Sequence, residues 1–123
     1  MYEVSKSFLF DAGHVLTNHN GLCKRPHGHT YTLTVTVRSS TLKTEGSSSN
    51  MVVDFKDISE VVKPMLMDYF DHHWLNETLE TESPTVEYIT KWIYDYLKPF
   101  ISGLYSITLH ETPTSKATYW EED

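Results

Sequence analysis

The stretch H-T-Y-T-L-T-V-T-V-R, residues 29–38, decides the fold, because apolar residues alternate with threonine along most of its length. A period of two predicts a β-strand whose two faces differ in polarity. Tyrosine, leucine and valine form one face, and the other carries only threonine, which is polar but favours strands. We therefore predict a sheet with one face on the protein core and the other against water or a wet interior.

Three further strands are predicted on either side of this stretch. Phe8, Phe10 and Ala12 share a parity with His14, which suits a first strand that ends at that histidine. Alternating apolar residues predict a third strand over residues 105–111. After the turn E-T-P-T-S, the residues A-T-Y-W predict a short fourth strand.

Two helices are predicted between the strand pairs. Apolar residues recur at helical spacing over residues 58–70 and again over residues 86–97. Asp54 or Asp57 is the expected N-cap of the first helix, and Pro64 predicts a kink or a local break within it. For the second helix we predict Ser83 as the N-cap, with Pro84 in the first helical position.

The resulting order, β-β-α-α-β-β, predicts an α+β fold in which an antiparallel four-stranded sheet carries both helices on one face. With 123 residues the chain fits a single domain, residues 1–123. Such a sheet leaves its threonine face and two edges uncovered. We therefore expect several chains to associate through those edges.

Composition and charge exclude several classes of protein. The net charge of -7 argues against binding to nucleic acid or to membrane surfaces, since both need basic patches. No apolar run approaches the roughly 18 residues of a membrane span. The single cysteine cannot form a disulfide within the chain, and the first residues show no secretory signal pattern. We therefore expect an intracellular, cytoplasmic protein.

The segment C-K-R-P-H-G-H, residues 23–29, contains the strongest candidate for a metal site. His27 and His29 are two residues apart, so both rings point to the same side of an extended backbone. If the first two strands form a hairpin, its open end places His14 beside this pair. Three neutral imidazoles with an open fourth position describe a catalytic zinc site. The same H-x-H pattern also occurs on surface strands without any metal.

Two other groups of residues suggest acid–base chemistry. Cys23 lies next to Lys24 and Arg25, whose charges favour a thiolate that could act as base, nucleophile or metal ligand. Asp71 precedes His72, and a carboxylate can orient an imidazole and raise its basicity. Each has a simpler alternative. A lone cysteine is commonly a small buried side chain, and an Asp-His pair is also typical of a helix end.

Glu111 ends the apolar alternation of the third strand, on the parity of Ile107 and Leu109. A carboxylate in that position is paired, hydrogen-bonded or at a pocket rim, unless the strand has already emerged into solvent. Its two oxygens suit a guanidine-like edge, such as the 2-amino and N3–H groups of a pterin.

In six motifs that span nearly its whole length, the chain resembles the 6-pyruvoyltetrahydropterin synthase superfamily. They are F-D-A-G-H (10–14), C-K-R-P-H-G-H-T-Y (23–31), M-V-V-D-F (51–55), D-H-H-W-L-N (71–76), P-T-V-E (84–87) and H-E-T-P-T-S-K-A-T-Y (110–119). The short interval from cysteine to H-G-H, the form D-H-H-W-L-N and the turn E-T-P-T-S are most similar to the bacterial 6-carboxy-5,6,7,8-tetrahydropterin synthases. That branch makes a precursor of the tRNA nucleoside queuosine.

The resemblance implies a tunnelling fold, in which subunits join their sheets into a barrel as trimers and then as hexamers, with active sites between subunits. It also implies a role for individual residues. These are the zinc ligands His14, His27 and His29, the catalytic thiol Cys23, the acid–base pair Asp71 and His72, the pterin anchor Glu111, and Thr85 and Glu87 in the pterin pocket.

The implied substrate is 7,8-dihydroneopterin triphosphate, which the branch converts to 6-carboxytetrahydropterin, acetaldehyde and triphosphate. Lys24, Arg25 and Lys116 are candidates for contact with the triphosphate. Two alternatives stay open: the pyruvoyl synthase, which eliminates triphosphate and keeps the side chain, and a zinc- or pterin-binding module without turnover. Two positions depart from the usual residues of the family, namely Gly13, where alanine is common, and Tyr88, where asparagine is frequent.

Overall fold

The computed structural model describes residues 1–122 and contains an antiparallel sheet of four strands that neighbour each other in chain order. The strands are Tyr2–His14 (β1), His27–Ser39 (β2), Leu104–Thr112 (β3) and Ser115–Trp120 (β4). The helices between β2 and β3 are Phe55–Met65 (α1), Leu75–Thr78 (α2) and Val86–Leu97 (α3). The predicted α+β fold is confirmed, and the short helix α2 is an addition that the sequence did not predict.

The core forms between the apolar face of the sheet and one side of the helices. In β2, the four apolar residues that alternate with threonine are at most 1% exposed: Tyr31, Leu33, Val35 and Val37. Leu33 is paired with Phe8 of β1 and with Leu109 of β3, so this face continues across the strands. The helices cover it with Ile58, Val62 and Met65 of α1 and with Ile89, Ile93 and Leu97 of α3. Burial of each such side chain contributes about 1.5–3 kcal/mol.

The opposite face of the sheet carries hydroxyl groups that bond across neighbouring strands. The hydroxyls of Ser7 and Thr34 lie 2.9 Å apart between β1 and β2, and those of Thr108 and Thr118 lie 2.9 Å apart between β3 and β4. Both pairs are exposed to solvent in the single chain. No helix within residues 1–122 has the length and apolar character that crossing a membrane requires.

The start of α1 agrees with the prediction, whereas the start of α3 does not. The side chain of Asp54 accepts a hydrogen bond from the N–H of Lys56 at 2.9 Å and so caps α1. For α3, the prediction of Ser83 as N-cap and Pro84 as first helical residue is wrong. Thr85 is the cap, because its N–H already bonds back to the carbonyl of Ser83 and its hydroxyl oxygen accepts from Tyr88.

The local break predicted at Pro64 is not found at the proline itself, and the helix changes type two residues later. Pro64 lies inside α1, which continues for one more residue before a π-helical turn over Leu66–Phe70. The N–H of Asp71 donates to the carbonyl of Leu66 at 2.7 Å, which is the wider spacing of a π-helix. Proline has no N–H to give to the preceding turn, and the chain adjusts in the turn that follows.

The segment 71–74 covers part of the outer edge of β1. The N–H of Asp11 donates to the carboxylate of Asp71, the N–H of His72 donates to the carbonyl of Asp11, and the N–H of Gly13 donates to the carbonyl of His73. Among residues 1–122, no strand pairs with the earlier part of this edge or with the outer edge of β4. The two open edges that the sequence predicts are therefore present.

A tight turn at Gly103 connects α3 to β3 against the end of β2. Gly103 has a φ of 79°, and its carbonyl accepts a hydrogen bond from the N–H of Arg38 at 3.0 Å. A Cβ atom at this position would lie 2.7 Å from the carbonyl oxygen of Arg38. Gly46 has the same φ of 79° but has no atom within 4 Å of such a Cβ.

We expect Gly103→Ala to destabilise the protein much more than Gly46→Ala. Gly46→Ala should cost about 1–2 kcal/mol, because only the left-handed backbone is strained. Gly103→Ala adds a clash with backbone and should cost roughly 2–5 kcal/mol. Urea unfolding followed by circular dichroism measures both free energies of unfolding, and equal losses in the two variants would contradict this account.

Candidate active site

The pairing of β1 with β2 brings three histidines together at one end of the sheet. His14 lies directly opposite His27, and Ala12 lies opposite His29, so all three rings emerge on the core face. One side-chain nitrogen from each of the three residues lies within 4.8 Å of the other two. His14 is fully buried, and His27 and His29 are half-buried. The structure therefore assembles the three predicted metal ligands in one cluster.

Backbone carbonyls fix the proton positions on two of these rings. The Nδ1 of His14 lies 2.9 Å from the carbonyl oxygen of Pro84, and the Nδ1 of His27 lies 2.7 Å from the carbonyl oxygen of Arg25. A carbonyl oxygen can only accept, so both Nδ1 atoms carry the hydrogen. In the neutral rings, both Nε2 atoms then present lone pairs, and these two atoms lie 2.9 Å apart.

Two lone pairs that face each other at this distance repel, so a positive charge between the two nitrogens stabilises the arrangement. A shared proton is disfavoured, because burial lowers the pKa of His14, and the neighbouring imidazole of His27 lowers it further. A divalent metal satisfies both lone pairs, and nitrogens around a tetrahedral zinc are roughly 3.3 Å apart. Carbonyl partners on Nδ1 are the usual way in which metal-binding imidazoles are oriented. The residues present therefore fit a metal ion.

The third ring of the cluster has a nitrogen without a partner. The Nε2 of His29 is buried and makes no hydrogen bond to any residue that the structure describes. Burial lowers the pKa of His29, which keeps this ring neutral and able to act as a ligand. An unpaired buried nitrogen costs about 1–3 kcal/mol, so a ligand for it is favoured.

Glu111 reaches the same end of the sheet from β3. Its Oε1 lies 3.8 Å from the Nε2 of His29, and its side chain is about a quarter exposed, at 24%. Glu111 and His29 line a cavity of about 480 Å³ together with threonines 30, 32 and 112. The carboxylate thus stands beside the histidine cluster and faces space that a small ring system can enter.

The sequence analysis missed Tyr31, whose hydroxyl group lies in the same region. Tyr31 is fully buried, and its hydroxyl has no hydrogen-bond partner within residues 1–122. Its ring centroid is 5.5 Å from that of His29 and 6.3 Å from that of His14. Burial and the nearby charge of Glu111 raise the pKa of the phenol. Tyr31 follows His29 by two residues, so its side chain is on the same face of β2, and this spacing could have indicated a place near the site. The alternation of apolar residues and threonine led instead to its assignment to the core.

Asp71 and His72 contact each other through their side chains at the edge of β1. The Nδ1 of His72 lies 3.0 Å from Oδ2 of Asp71, and the other carboxylate oxygen accepts from the N–H of Asp11 at 3.0 Å. The Asp11 N–H and then His72 hold the pKa of Asp71 below its usual value. His72 has a φ of 61°, a left-handed conformation that is uncommon outside glycine and is found at functional sites.

This pair is not part of the three-histidine cluster, although His72 and His29 line the same open cavity at the edge of β1. Asp71 and His72 cluster with the side chain of Asp11, which leaves β1 on the parity opposite to Phe10 and Ala12 and is exposed. The histidine cluster lies on the core face instead. The structure therefore forms both predicted groups but does not bring them into one cluster within a single chain.

Cys23 belongs to neither group. It lies in a 3-10 turn over Leu22–Lys24 that follows β1, and it is a half-buried free thiol. Its carbonyl accepts a hydrogen bond from the N–H of Leu16 at 2.8 Å, which ties the turn to the end of β1. The predicted triphosphate contacts Lys24, Arg25 and Lys116 are all exposed.

Thr85 and Glu87 lie at the start of α3, next to the carbonyl of Pro84 that orients His14. The hydroxyl oxygen of Thr85 serves as the helix cap and accepts from the N–H of Tyr88 at 3.2 Å. Glu87 is exposed in the first turn. The structure thus places both residues next to Pro84, whose carbonyl orients His14.

The sequence pattern of the 6-pyruvoyl tetrahydropterin synthase family matches residues 3–122. The chain belongs to this family. It is 41% identical to the 6-carboxy-5,6,7,8-tetrahydropterin synthase of Synechocystis over 98% of this chain and 94% of that protein. It is 36% identical to the enzyme of the same name from Haemophilus influenzae, over 98% of this chain and all 100% of that protein. The solved 6-pyruvoyl tetrahydropterin synthase of Caenorhabditis elegans superposes with a TM-score of 0.83 at 25% identity, over 98% and 96% of the two chains.

These comparisons confirm the predicted 6-pyruvoyl tetrahydropterin synthase family, the prediction of an enzyme and the tunnelling fold of the subunit. The structure also explains one departure from the usual residues of the family. A Cβ atom at Gly13 would lie 3.2 Å from the ring of Trp74, which pairs alongside this part of β1. The glycine therefore leaves room for a large ring that covers the strand. The second departure, Tyr88, is exposed at 41% and gives its N–H to the cap of α3.

We expect the metal-free protein to lose stability as the pH falls below about 6.5. His14 and His29 have lowered pKa values in the folded chain, so the unfolded chain binds their protons first. Their contribution is present above the unfolded pKa and declines towards the lowered folded pKa. Urea unfolding in the presence of a chelator, from pH 7.5 downwards, measures the slope. His29→Gln should make the slope shallower, and a control that removes an exposed ring, His19→Gln, should not.

Proposed function

We propose that the protein is a zinc-dependent 6-carboxy-5,6,7,8-tetrahydropterin synthase that acts on 7,8-dihydroneopterin triphosphate in queuosine biosynthesis. One observation carries the proposal. The Nε2 atoms of His14 and His27 face each other at 2.9 Å while both Nδ1 hydrogens are held by carbonyls. Such a pair favours a cation between the two nitrogens, and the carboxylate of Glu111 stands beside the third ring of the cluster.

His14, His27 and His29 are the proposed zinc ligands, and their neutral rings leave a fourth position for the substrate. Zinc in this site would act as a Lewis acid that makes the side-chain hydroxyls of the substrate more acidic. The carbonyls of Pro84 and Arg25 hold the first two rings in the required tautomer. We propose a reduced compartment, the cytoplasm, in which Cys23 stays a thiol.

Glu111 is the proposed anchor of the pterin ring. Its two oxygens can accept from the 2-amino group and from N3–H, a bidentate pairing that fixes the plane of the ring. The cavity of about 480 Å³ beside it suits a bicyclic ring, and the threonines that line it offer further hydrogen bonds. Thr85 and Glu87, at the start of α3, are proposed to complete the pocket around the ring.

Cys23 and the pair Asp71–His72 are the proposed proton carriers. Cys23 and the pair Asp71–His72 would move protons at the substrate side chain and at C6. Triphosphate is then eliminated, water adds to the side-chain carbon next to the ring and supplies the second carboxyl oxygen, and the C–C bond beyond that carbon breaks to release acetaldehyde. Asp71 orients the ring of His72 through the 3.0 Å contact between Oδ2 and Nδ1. Lys24, Arg25 and Lys116 are proposed to meet the triphosphate through their exposed charges.

We propose that a complete site draws on more than one copy of the chain. Asp71 and His72 lie at the edge of β1, whereas the histidine cluster lies on the core face of the same sheet. The open edges of β1 and β4 offer strand pairing to neighbouring copies. We propose a barrel of paired sheets that forms a hexamer, a dimer of trimers, in which the pair Asp71–His72 of one copy approaches the zinc and Cys23 of another.

Among pterin synthases, the carboxy reaction is favoured over the pyruvoyl reaction. The relatives at 41% and 36% identity, which the chain matches over nearly their whole length, carry the carboxy name. The alternative activity eliminates triphosphate from the same substrate and keeps the three-carbon side chain. The two reactions therefore differ in their products.

Incubation with 7,8-dihydroneopterin triphosphate should release acetaldehyde and 6-carboxytetrahydropterin, both identified by mass spectrometry. Treatment with a chelator should abolish turnover, and added Zn²⁺ should restore it, because the histidine cluster then regains its cation. His27→Ala should remain inactive at any zinc concentration, whereas His19→Ala, which removes an exposed ring outside the cluster, should retain activity.

Each other outcome of this experiment has a definite meaning. A pterin product that keeps the three-carbon side chain would establish the pyruvoyl reaction instead. Binding of pterin and zinc without any product would establish a binding module. Turnover that withstands complete removal of the metal would refute the assigned role of the three histidines.

We expect Cys23→Ala and His72→Ala, each inactive alone, to restore activity when their subunits are exchanged. In a randomly mixed oligomer, about a quarter of the sites combine an intact Cys23 with an intact His72 from another copy, so about a quarter of wild-type turnover should return. Turnover after co-refolding of equal amounts of the two variants measures this.

The control for this exchange is a mixture of Cys23→Ala with the double variant Cys23→Ala/His72→Ala. That mixture contains no intact Cys23 and should stay inactive. If the first mixture also stays inactive while its oligomers form, Cys23 and His72 act within one chain, and the proposed arrangement between copies is wrong.

A further inference from the structure

The side chain of Asn76 bonds to two segments that surround His14. Its Oδ1 accepts a hydrogen bond from the N–H of Val15 at 2.8 Å, and its Nδ2 donates to the carbonyl of Val15 at 2.8 Å. The same Nδ2 donates to the carbonyl of Glu82 at 3.3 Å. One amide group therefore connects the strand end that carries His14 with the loop that leads to Pro84.

The bonds to Val15 reproduce the pairing that a neighbouring strand would supply. β1 ends at His14, so Val15 is the first residue beyond the ladder with β2. A side-chain amide has the same donor and acceptor as a peptide group, and Asn76 presents both to this residue. The backbone next to His14 is thereby held in place after the sheet has ended.

The bond to Glu82 acts on the other side of the imidazole. The carbonyl of Glu82 also accepts from the N–H of Thr17 at 3.2 Å, so the loop is held at two points. Two residues later, the carbonyl of Pro84 accepts from Nδ1 of His14, which is fully buried. The place of that carbonyl relative to β1 is therefore set by two bonds to Glu82, one of which comes from Asn76.

We propose that Asn76 is a positioning residue that holds His14 in the orientation of a metal ligand, acting through the Val15 backbone and the carbonyl of Pro84. The proposal rests on the metal site of the proposed function. A buried Nδ1–H that loses its carbonyl turns towards another acceptor, and the Nε2 lone pair then leaves the cluster. Removal of groups that orient ligand imidazoles lowers metal affinity about 10–100-fold.

The competing explanation is that Asn76 supports the fold alone. It lies in α2, which has four residues and no side-chain cap, so a bond from this helix to the strand could simply anchor the helix. Thr78 of the same helix gives a matched control. Its hydroxyl donates to the carbonyl of Tyr69 at 2.7 Å, and none of its hydrogen bonds reaches Val15 or the loop 82–84.

The test measures metal binding and not turnover. Zinc affinity is obtained by competition with a chromogenic chelator, and the Co²⁺-loaded protein gives a visible spectrum that reports ligand geometry. Asn76→Ala should weaken zinc binding about 10–100-fold and change the Co²⁺ bands in position and intensity. Asn76→Asp keeps an acceptor for the N–H of Val15 but loses both donated bonds, so its zinc affinity should lie between those of the wild type and Asn76→Ala. Thr78→Val should keep the wild-type affinity and spectrum.

The outcomes separate this inference from the proposed function. If the wild-type protein binds neither Zn²⁺ nor Co²⁺, the metal site itself is absent and the proposed function fails. If the wild-type protein binds both and the two Asn76 variants bind equally well with unchanged spectra, Asn76 has only a structural role. Should Asn76→Ala not fold, the comparison of Asn76→Asp with Thr78→Val decides the question.

Discussion

The register between β1 and β2 is the constraint on which the rest of the structure depends. It places His14 opposite His27 and Phe8 opposite Leu33, so the ligand cluster and the core share one face of the sheet. A slip by one residue would move every side chain of one strand to the other face, because side chains alternate with a period of two. The apolar residues that resist such a slip therefore also hold the histidines together. The register of this hairpin therefore determines both the packing of the core and the geometry of the histidine cluster.

Where apolar residues alternate with a period of two, the sequence was sufficient to predict the strand and the face on which each side chain lies. The alternation around Leu33 predicted the central strand, and the shared parity of His14 and Phe10 predicted the face on which the imidazoles emerge. Sequence-based prediction failed at positions where hydrogen bonds between distant segments determine the backbone conformation. Ser83 and Pro84 are residue types that are common at helix starts. The carbonyl of Pro84 instead accepts a hydrogen bond from His14, and the helix begins later. A local rule contains no information about such a partner.

The residues that the sequence analysis missed share a different property. The sequence assigned Tyr31 to the core with the other apolar residues of β2. The structure shows in addition that its buried hydroxyl has no hydrogen-bond partner among the described residues. Asn76 belongs to a motif that was noticed for its Asp-His pair, and the structure shows its amide bonded to Val15 across 61 positions of sequence. The position of the Asn76 side chain depends on hydrogen bonds to backbone groups, and backbone groups carry no sequence signal of their own.

The short segment after the π-helical turn has a geometric consequence for assembly. Residues 71–74 occupy the outer hydrogen-bonding groups of β1 at Asp11 and Gly13. An incoming strand would consequently meet a stop before it reached the histidine end and could add only along the first part of β1. β4, with the six residues Ser115–Trp120, is short enough to fit in that space. Because residues 71–74 end at a fixed point on the edge of β1, they would fix the register in which a strand of one copy pairs with β1 of the next.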